Sequence, residues 1–252
     1  MTSTRFKFPC KYLEEKVIGW AERTLRSRLF ILPRRIINEA ISYALSINHQ
    51  QRCNDPERAN VMELVRKIKS EVPIAMGDDE AYQLFMAVRR TRNVDGDIAE
   101  VGVCWGGSAK LICEAKGDKP LHLFDTFAGL PDLSEMDDPN ILFKGQFLAD
   151  FEHVKNYLKG YPNVQFYKGI FPLTAEPIEG RVFSLVNVDV DLYESTLSCL
   201  KFFYPRMNKG GIIISHDYLE YQGVKKAVDD FFEGKQETII ELYGGQCLIV
   251  KL

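Results

Sequence analysis

The stretch DIAEVGVCWGGSAKLICEAK, residues 97–116, carries the strongest fold signal in the chain. Its first part, 97–104, is an apolar run typical of a buried strand, and a helix is predicted from about Gly107 to Lys116. The glycines between them let the backbone turn sharply and approach a ligand closely, and a helix amino terminus favours anionic or polar groups. The stretch is not the dinucleotide fingerprint, because Cys104 stands where that pattern needs a glycine.

The same alternation of strand and helix continues along the chain. Further strands are predicted at 121–125, 164–169, 182–189 and 210–217, and further helices at 57–70, 78–92, 147–160, 194–204 and 223–233. The tail ETIIELYGGQCLIVKL contains two apolar runs joined by Gly-Gly, which is a hairpin signal. The sequence therefore predicts an α/β fold. We expect a Rossmann-like, doubly wound, mostly parallel seven-stranded sheet with a C-terminal antiparallel hairpin, plus N-terminal helices.

Composition narrows the class of protein. The 252 residues are 46% hydrophobic and 27% charged, with a net charge of −3, which fits one globular α/β domain and gives no nucleic-acid footprint. No apolar run reaches the roughly 20 residues of a spanning helix. The first residues lack the apolar core of a signal peptide, so we expect a cytoplasmic location. The six cysteines form no CxxC pair and are interpreted as buried or incidental thiols.

The N-terminal region differs from the rest in its charge pattern. Residues 11–40 interleave Arg and Lys with Ile, Leu, Trp and Phe. This pattern is typical of an amphipathic helix on an anionic membrane, or of an arm that packs on its own domain or on a second subunit. We favour the second interpretation, because Glu14, Glu15 and Glu22 dilute the basic face. The chain is thus divided into a helical arm, 1–56, and a main domain, 57–252, and a homodimer or higher homo-oligomer is expected.

Informative residues follow the predicted strands, because ligands of doubly wound sheets bind at the carboxyl ends of the strands. Asp125 ends the second strand, twenty-five residues after Glu100. An acidic residue at this place can accept hydrogen bonds from ribose hydroxyls. A glycine-rich turn between strand and helix is also common without a ligand, but together with Asp125 it indicates a ligand that contains a ribose.

A second set of polar residues follows the fourth and fifth strands. The segment VNVDVDLYEST, 186–196, brings Asp189 and Asp191 after the fourth strand, and His216 and Asp217 follow the fifth. If these strands are neighbours, the four side chains share one pocket. Their carboxylates would repel one another unless a cation lies among them, and Mg²⁺ suits oxygen ligands. The alternative is that one aspartate caps the following helix.

These motifs resemble a known family. EVGVCWGGS, 100–108, resembles the S-adenosylmethionine motif of class I methyltransferases. Four more segments resemble the macrocin O-methyltransferase family: FDTFAGLP from Phe124, KGIF from Lys168, DVDLYEST from Asp189, and the pair Asp217 and Tyr218. Members of that family methylate sugar hydroxyls of macrolide and aminocoumarin antibiotics. The resemblance runs from about residue 57 to the C-terminus.

The resemblance implies roles for individual residues. The methionine part of S-adenosylmethionine would be held by Glu100, Gly102, Gly106, Gly107 and Ser108, its ribose by Asp125, and its adenine near Gly169 and Phe171. Asp189 and Asp217 would be metal ligands, and Asp191 the general base. The chain departs from the family at His216, where antibiotic-sugar members carry an aspartate. Histidine is a poorer Mg²⁺ ligand than a carboxylate, so His216 is either a third ligand or a catalytic acid–base residue.

We therefore expect an S-adenosylmethionine-dependent O-methyltransferase, with residues 57–252 as its methyltransferase domain. The expected acceptor is a small molecule, a sugar or glycosylated natural product, because a chelated metal suits two adjacent oxygens. The loop 126–146 and the N-terminal segment would recognise it. Two alternatives stay open: a catechol-type enzyme acting on a phenolic acceptor, and a catalytically silent cofactor-binding adaptor. An NAD-linked oxidoreductase is disfavoured, because the dinucleotide fingerprint is missing.

Overall fold

The computed structural model describes residues 56–252. Apart from its last residue, the predicted arm 1–56 lies outside the described residues, as does the amphipathic stretch 11–40. No helix in the described part of the chain is long and apolar enough to cross a membrane.

A seven-stranded sheet forms the centre of the domain, in the order β3-β2-β1-β4-β5-β7-β6. The strands are β1 (Asp97–Val101), β2 (Leu121–Asp125), β3 (Val164–Lys168), β4 (Phe183–Val188), β5 (Met207–Ser215), β6 (Ile240–Glu241) and β7 (Cys247–Val250). The first five strands are parallel, while β7 runs antiparallel to β5 and pairs with β6 in the terminal hairpin. The predicted fold class is thus confirmed. The strand order reverses direction between β1 and β4, and this is where ligands bind in doubly wound sheets.

Helices cover both faces of the sheet. They are α1 (Pro56–Glu71), α2 (Asp78–Arg90), α3 (Gly107–Ala115), α4 (Phe151–Leu158), α5 (Tyr193–Phe203) and α6 (Gln222–Phe232), with 3₁₀ turns at Glu176–Ile178 and Tyr204–Arg206. The helix predicted at 147–160 begins only at Phe151, because the Asp150 carboxylate accepts hydrogen bonds from the amides of Glu152 and His153.

Two hydrophobic clusters explain why the strands read as continuous apolar runs. One cluster contains Ile98 together with residues of α1 to α4, and the other contains the next residue, Ala99, with residues of α5 and α6. Leu185 and Val186 divide in the same way. Successive strand residues point to opposite faces of the sheet, and both faces are buried. Apolar residues are therefore favoured at successive positions along each strand.

Candidate active site

The backbone is strained where the chain leaves several strands. Cys104 after β1, Phe127 after β2, Asp191 after β4 and Asp217 after β5 have φ angles of 47°, 51°, 62° and 56°. Such angles are uncommon for residues other than glycine, and they concentrate at functional sites. The predicted first strand, 97–104, accordingly ends at Val101, because the following residues leave the extended conformation.

The turn after β1 is held close to the end of β4. Gly102 has a φ of 91°, and a Cβ atom at this residue would lie 1.6 Å from the carbonyl oxygen of Asp189. The Asp189 amide donates a hydrogen bond of 2.9 Å to the Val101 carbonyl. Gly102 is therefore required by the approach of two strand ends, which places the glycine turn beside the acidic segment after β4.

The glycines of this turn also open helix α3. Gly106, with a φ of 82°, is the residue before the helix, and no side chain caps the helix start. A Cβ at Gly107 would lie 3.1 Å from the Ile74 side chain, so this glycine lets the helix pack closely. The structure thus brings Gly102, Gly106 and Gly107 into one turn at a helix amino terminus, and their predicted contact with the cofactor stays a prediction.

Asp125 connects the turn to β2. Its Oδ2 accepts hydrogen bonds from the amides of Val103 (2.7 Å) and Cys104 (2.8 Å), and its Oδ1 accepts one from the Phe127 amide (2.6 Å). A carboxylate offers about four lone-pair sites, so Oδ1 keeps one for a further donor. This arrangement fits the predicted contact with a ribose hydroxyl, because the carboxylate is fixed and still has acceptor capacity.

Glu100 supports the turn from inside the fold. It is 0% exposed, and its Oε1 accepts a hydrogen bond of 3.0 Å from Asn187. Burial raises the pKa of Glu100 to about 8, although hydrogen bonds from Ser108 and Asn187 oppose the shift. A carboxyl group without exposed surface cannot meet a ligand from solvent in this structure. Its predicted direct contact with the cofactor therefore stays a prediction, and a supporting role accounts for its position.

Residues of the KGIF segment have contacts within the protein. The Gly169 amide donates a hydrogen bond of 2.9 Å to the Asp125 carbonyl, so this glycine lies next to the end of β2. The Phe171 ring stacks on Phe203 at a centroid distance of 5.1 Å and meets Phe124 edge-on. This aromatic packing explains the residue type at Phe171 without a ligand. The predicted position near an adenine is not tested by these contacts.

The predicted convergence of the fourth and fifth strand ends is confirmed. Val188 of β4 pairs with Ser215 of β5, so the residues that follow them come together. Ligand atoms of Asp189, His216 and Asp217 all lie within 4.8 Å of one another. The His216 Nδ1 atom is 3.1 Å from the Asp217 Oδ2 and 3.7 Å from the Asp189 Oδ1. We call these three residues the carboxylate–imidazole cluster.

The charges in this cluster strongly influence one another. Burial raises the pKa of Asp189 to about 7, against the effect of the His216 charge, and burial with the Asp189 charge raises the pKa of Asp191 well above its usual range. Burial alone would lower the pKa of His216, but the Asp189 charge and contacts with Asp217 and Glu80 outweigh it and raise this pKa. A cation would relieve the repulsion among the carboxylates.

The donor set fits a divalent cation. Two carboxylates and an imidazole converge, and neither His216 ring nitrogen has a hydrogen-bond partner within 56–252. Oxygen ligands suit Mg²⁺ and Mn²⁺, and an imidazole nitrogen is accepted by Mn²⁺ more readily than by Mg²⁺. The residues present can therefore hold such an ion.

The alternative role of the aspartates as helix caps is not realised. Helix α5 begins after Leu192, and no side chain of the segment 189–192 caps it. Instead the Tyr193 amide donates a hydrogen bond of 2.8 Å to Asp137, a buried residue of the long loop. Helix capping therefore does not explain why aspartates stand at 189 and 191. Sequence reasoning missed Asp137, although Ser134 three residues earlier, which donates to its Oδ2, is a turn signal.

The loop 126–146 lies against the carboxyl ends of the strands. It is closed at its base by the Leu130 amide, which donates to the Gln146 carbonyl, and Leu142 packs on Leu192 beside the acidic segment. Its outer side exposes large apolar side chains, among them Ile141 (52%) and Phe143 (62%). The loop thus has the place expected of an acceptor-binding element, and that function stays a prediction.

Comparison with known proteins gives the family. The family model described as Macrocin-O-methyltransferase (TylF) matches residues 38–241, which is most of the chain. The chain belongs to the macrocin O-methyltransferase family. The resemblance inferred from the motifs is thereby confirmed.

Two curated relatives are O-methyltransferases of Streptomyces species. Demethyldecarbamoylnovobiocin O-methyltransferase of Streptomyces niveus is 30% identical over 154 residues, covering 55% of this chain and 59% of the relative. The 8-demethyl-8-(2,3-dimethoxy-alpha-L-rhamnosyl)-tetracenomycin-C 4'-O-methyltransferase of Streptomyces olivaceus is 29% identical over 153 residues, covering 55% and 58%. The chain thus matches less than two thirds of the length of these curated relatives.

Solved structures agree with the fold. The O-methyltransferase NovP has 26% identity and a TM-score of 0.61, and the match covers 69% of this chain and 80% of NovP. The calicheamicin methyltransferase CalS11 has 20% identity and a TM-score of 0.59, covering 78% and 93%, which supports the fold alone. The seven-stranded sheet is therefore that of class I methyltransferases.

Proposed function

We propose that this protein is an S-adenosylmethionine-dependent O-methyltransferase whose acceptor is a hydroxyl group of a sugar or glycosylated natural product. The observation that carries the proposal is the contact between Gly102 and the Asp189 carbonyl. It places the turn that resembles the cofactor motif directly beside the carboxylate–imidazole cluster. A methyl donor and a cation-bound hydroxyl would thus meet at one edge of the sheet.

The residues of the site are proposed to have two kinds of role: some bind the cofactor or the cation, and one takes part in the reaction. When bound, S-adenosylmethionine supplies an activated methyl group, and a divalent cation lowers the pKa of a coordinated hydroxyl. Asp125 would hold the ribose through Oδ1, and the amino terminus of α3 would face the polar end of the cofactor. Asp189, His216 through Nδ1, and Asp217 would hold the cation.

Asp191 is proposed as the group that removes the proton of the acceptor hydroxyl. A sugar hydroxyl is a poor nucleophile, so a positioned base contributes a factor of roughly 10²–10⁴ to the rate. Fixing the reacting atoms in line supplies a further part of the rate enhancement.

The acceptor class is tested by transfer of labelled methyl groups. The full-length protein is incubated with methyl-labelled S-adenosylmethionine and a panel of glycosides and catechols, and the products are identified by mass spectrometry. We expect methylation of a glycoside on a sugar hydroxyl. Asp191→Asn should lower turnover by roughly 10²–10⁴, whereas Asp95→Asn, a change at an exposed aspartate that precedes β1, should leave turnover unchanged.

Three outcomes would contradict this proposal. Transfer only to catechols would assign the phenolic alternative. Cofactor binding without transfer to any acceptor would favour the adaptor. Equal turnover of the Asp191→Asn and Asp95→Asn variants would remove Asp191 from the reaction.

A further inference from the structure

Glu80, at the start of α2, is buried and fixed on both of its carboxylate oxygens. It is 6% exposed. Its Oε2 accepts a hydrogen bond of 2.7 Å from the Gly77 amide, and its Oε1 accepts one of 2.5 Å from the Gly245 amide in the terminal hairpin. A Cβ atom at Gly244 would lie 2.6 Å from the Glu80 side chain, so the hairpin closes directly on it. The carboxylate therefore cannot change position without moving α2 or the hairpin.

This carboxylate faces one side of the His216 ring. The His216 Nε2 atom lies 3.6 Å from the Glu80 Oε2, whereas Nδ1 faces Asp217 and Asp189. His216 itself is 4% exposed. The ring thus lies between the Glu80 carboxylate, which two backbone amides hold in place, and the Asp189 and Asp217 carboxylates of the cluster.

We propose that Glu80 is a positioning residue that keeps the proton of neutral His216 on Nε2, so that the Nδ1 lone pair is available to a cation between Asp189 and Asp217. The proposal rests on the proposed function, because it presumes the cation site. Metal-binding histidines generally donate their other ring N–H to a carboxylate or carbonyl, which fixes both tautomer and ring orientation. An N–H···O hydrogen bond spans roughly 2.7–3.2 Å, so the His216 ring must move toward the fixed Glu80 carboxylate to close the 3.6 Å contact when Nδ1 binds the ion.

The competing arrangement puts the proton on Nδ1. Asp217 is only 3.1 Å away on that side and could accept it. His216 and Asp217 would then form a dyad, and the histidine would be lost to the cation. Glu80 opposes the second arrangement, because it places a fixed carboxylate on the Nε2 side, where an N–H can donate to it.

Calorimetric titration of full-length protein with Mn²⁺ tests the proposal. Glu80→Gln keeps the size of the side chain and removes its charge. We expect the dissociation constant for Mn²⁺ to rise by roughly 10–100-fold, the usual effect of losing such a partner. Glu237→Gln is the matched control, because Glu237 is also buried but binds Tyr204 and Lys251 instead of the cluster. It should bind Mn²⁺ as the wild type does.

A purely structural role gives a different pattern. It would lower the melting temperature of Glu80→Gln without changing the dissociation constant, and that result overturns the proposal while leaving the cation site intact. Absence of Mn²⁺ binding to the wild type overturns the site and the proposal together. If Glu80→Gln does not fold, ¹⁵N NMR of the Mg²⁺-loaded wild type still decides. A proton on Nε2 of His216 supports the proposal, and a proton on Nδ1 overturns it.

Discussion

Replacing Gly102 by alanine should be among the most destabilising single-methyl changes in the domain. The residue has a φ of 91°, which costs an L-residue about 1–2 kcal/mol. The new Cβ would also lie 1.6 Å from the Asp189 carbonyl oxygen, whereas real Cβ atoms are essentially never closer than 3.0 Å. The ends of β1 and β4 must therefore separate by more than an ångström.

That separation adds two further costs. Overpacking costs about 1–3 kcal/mol, and stretching the buried hydrogen bond from the Asp189 amide to Val101 costs about 1–3 kcal/mol. We expect the free energy of unfolding, measured by urea denaturation, to fall by roughly 3–6 kcal/mol, since the three costs need not add fully.

Gly145→Ala is the matched control for this change. Gly145 has a similar φ of 84°, but a Cβ there meets nothing within 4 Å, so only the conformational cost of about 1–2 kcal/mol remains. The reasoning is refuted if the two variants lose the same stability. In that case Gly102 does not approach the Asp189 carbonyl in the folded protein.

Three further changes test other parts of the account. Asp137→Ala removes the cap of α5 and should lower the free energy of unfolding by about 1–2 kcal/mol, with faster hydrogen exchange at the Tyr193 amide; unchanged exchange would exclude the cap. Glu100→Gln should become more stable relative to the wild type as the pH rises from about 4.5 to about 8. In this range only the folded wild type keeps its carboxyl protonated, so the wild type loses stability as the pH rises. A difference in unfolding free energy that does not vary with pH contradicts the raised pKa. Phe143→Ala should raise the KM for a glycoside severalfold without changing the melting temperature, since this ring is 62% exposed; the same rise in Tyr243→Ala, at an exposed hairpin residue, would argue against a specific contact.

The fold was predictable because a doubly wound sheet imposes a strong pattern on its strands. Buried faces on both sides require the apolar runs, and turns with special backbone angles require glycine. The start of β5 at Met207 was missed, because Asn208 and Lys209 have low strand propensity. Pairing of Met207 with Phe183 overrides that propensity in the folded protein.

The candidate site was predictable only where it depends on adjacent strands. Asp189 and His216 follow paired strands, so their approach follows from topology. Glu80 and Asp137 were not predicted, because they reach the site from α2 and from a long loop. Their positions depend on how a helix and a loop pack, which local sequence spacing does not encode. Asp137, for example, contacts a residue 56 positions away.

Metal dependence of methyl transfer is the decisive measurement for the proposed cation site. The protein is stripped with a chelator, its metal content is verified, and the initial rate is measured with the acceptor identified in the glycoside panel. We expect a loss of at least about 10²-fold in rate, since a bound cation supplies several kcal/mol of stabilisation to the developing charge. We also expect that Mg²⁺ or Mn²⁺ restores the rate in the wild type, and that Asp189→Asn needs much higher concentrations of the ion. Full activity of the verified metal-free protein would contradict the account.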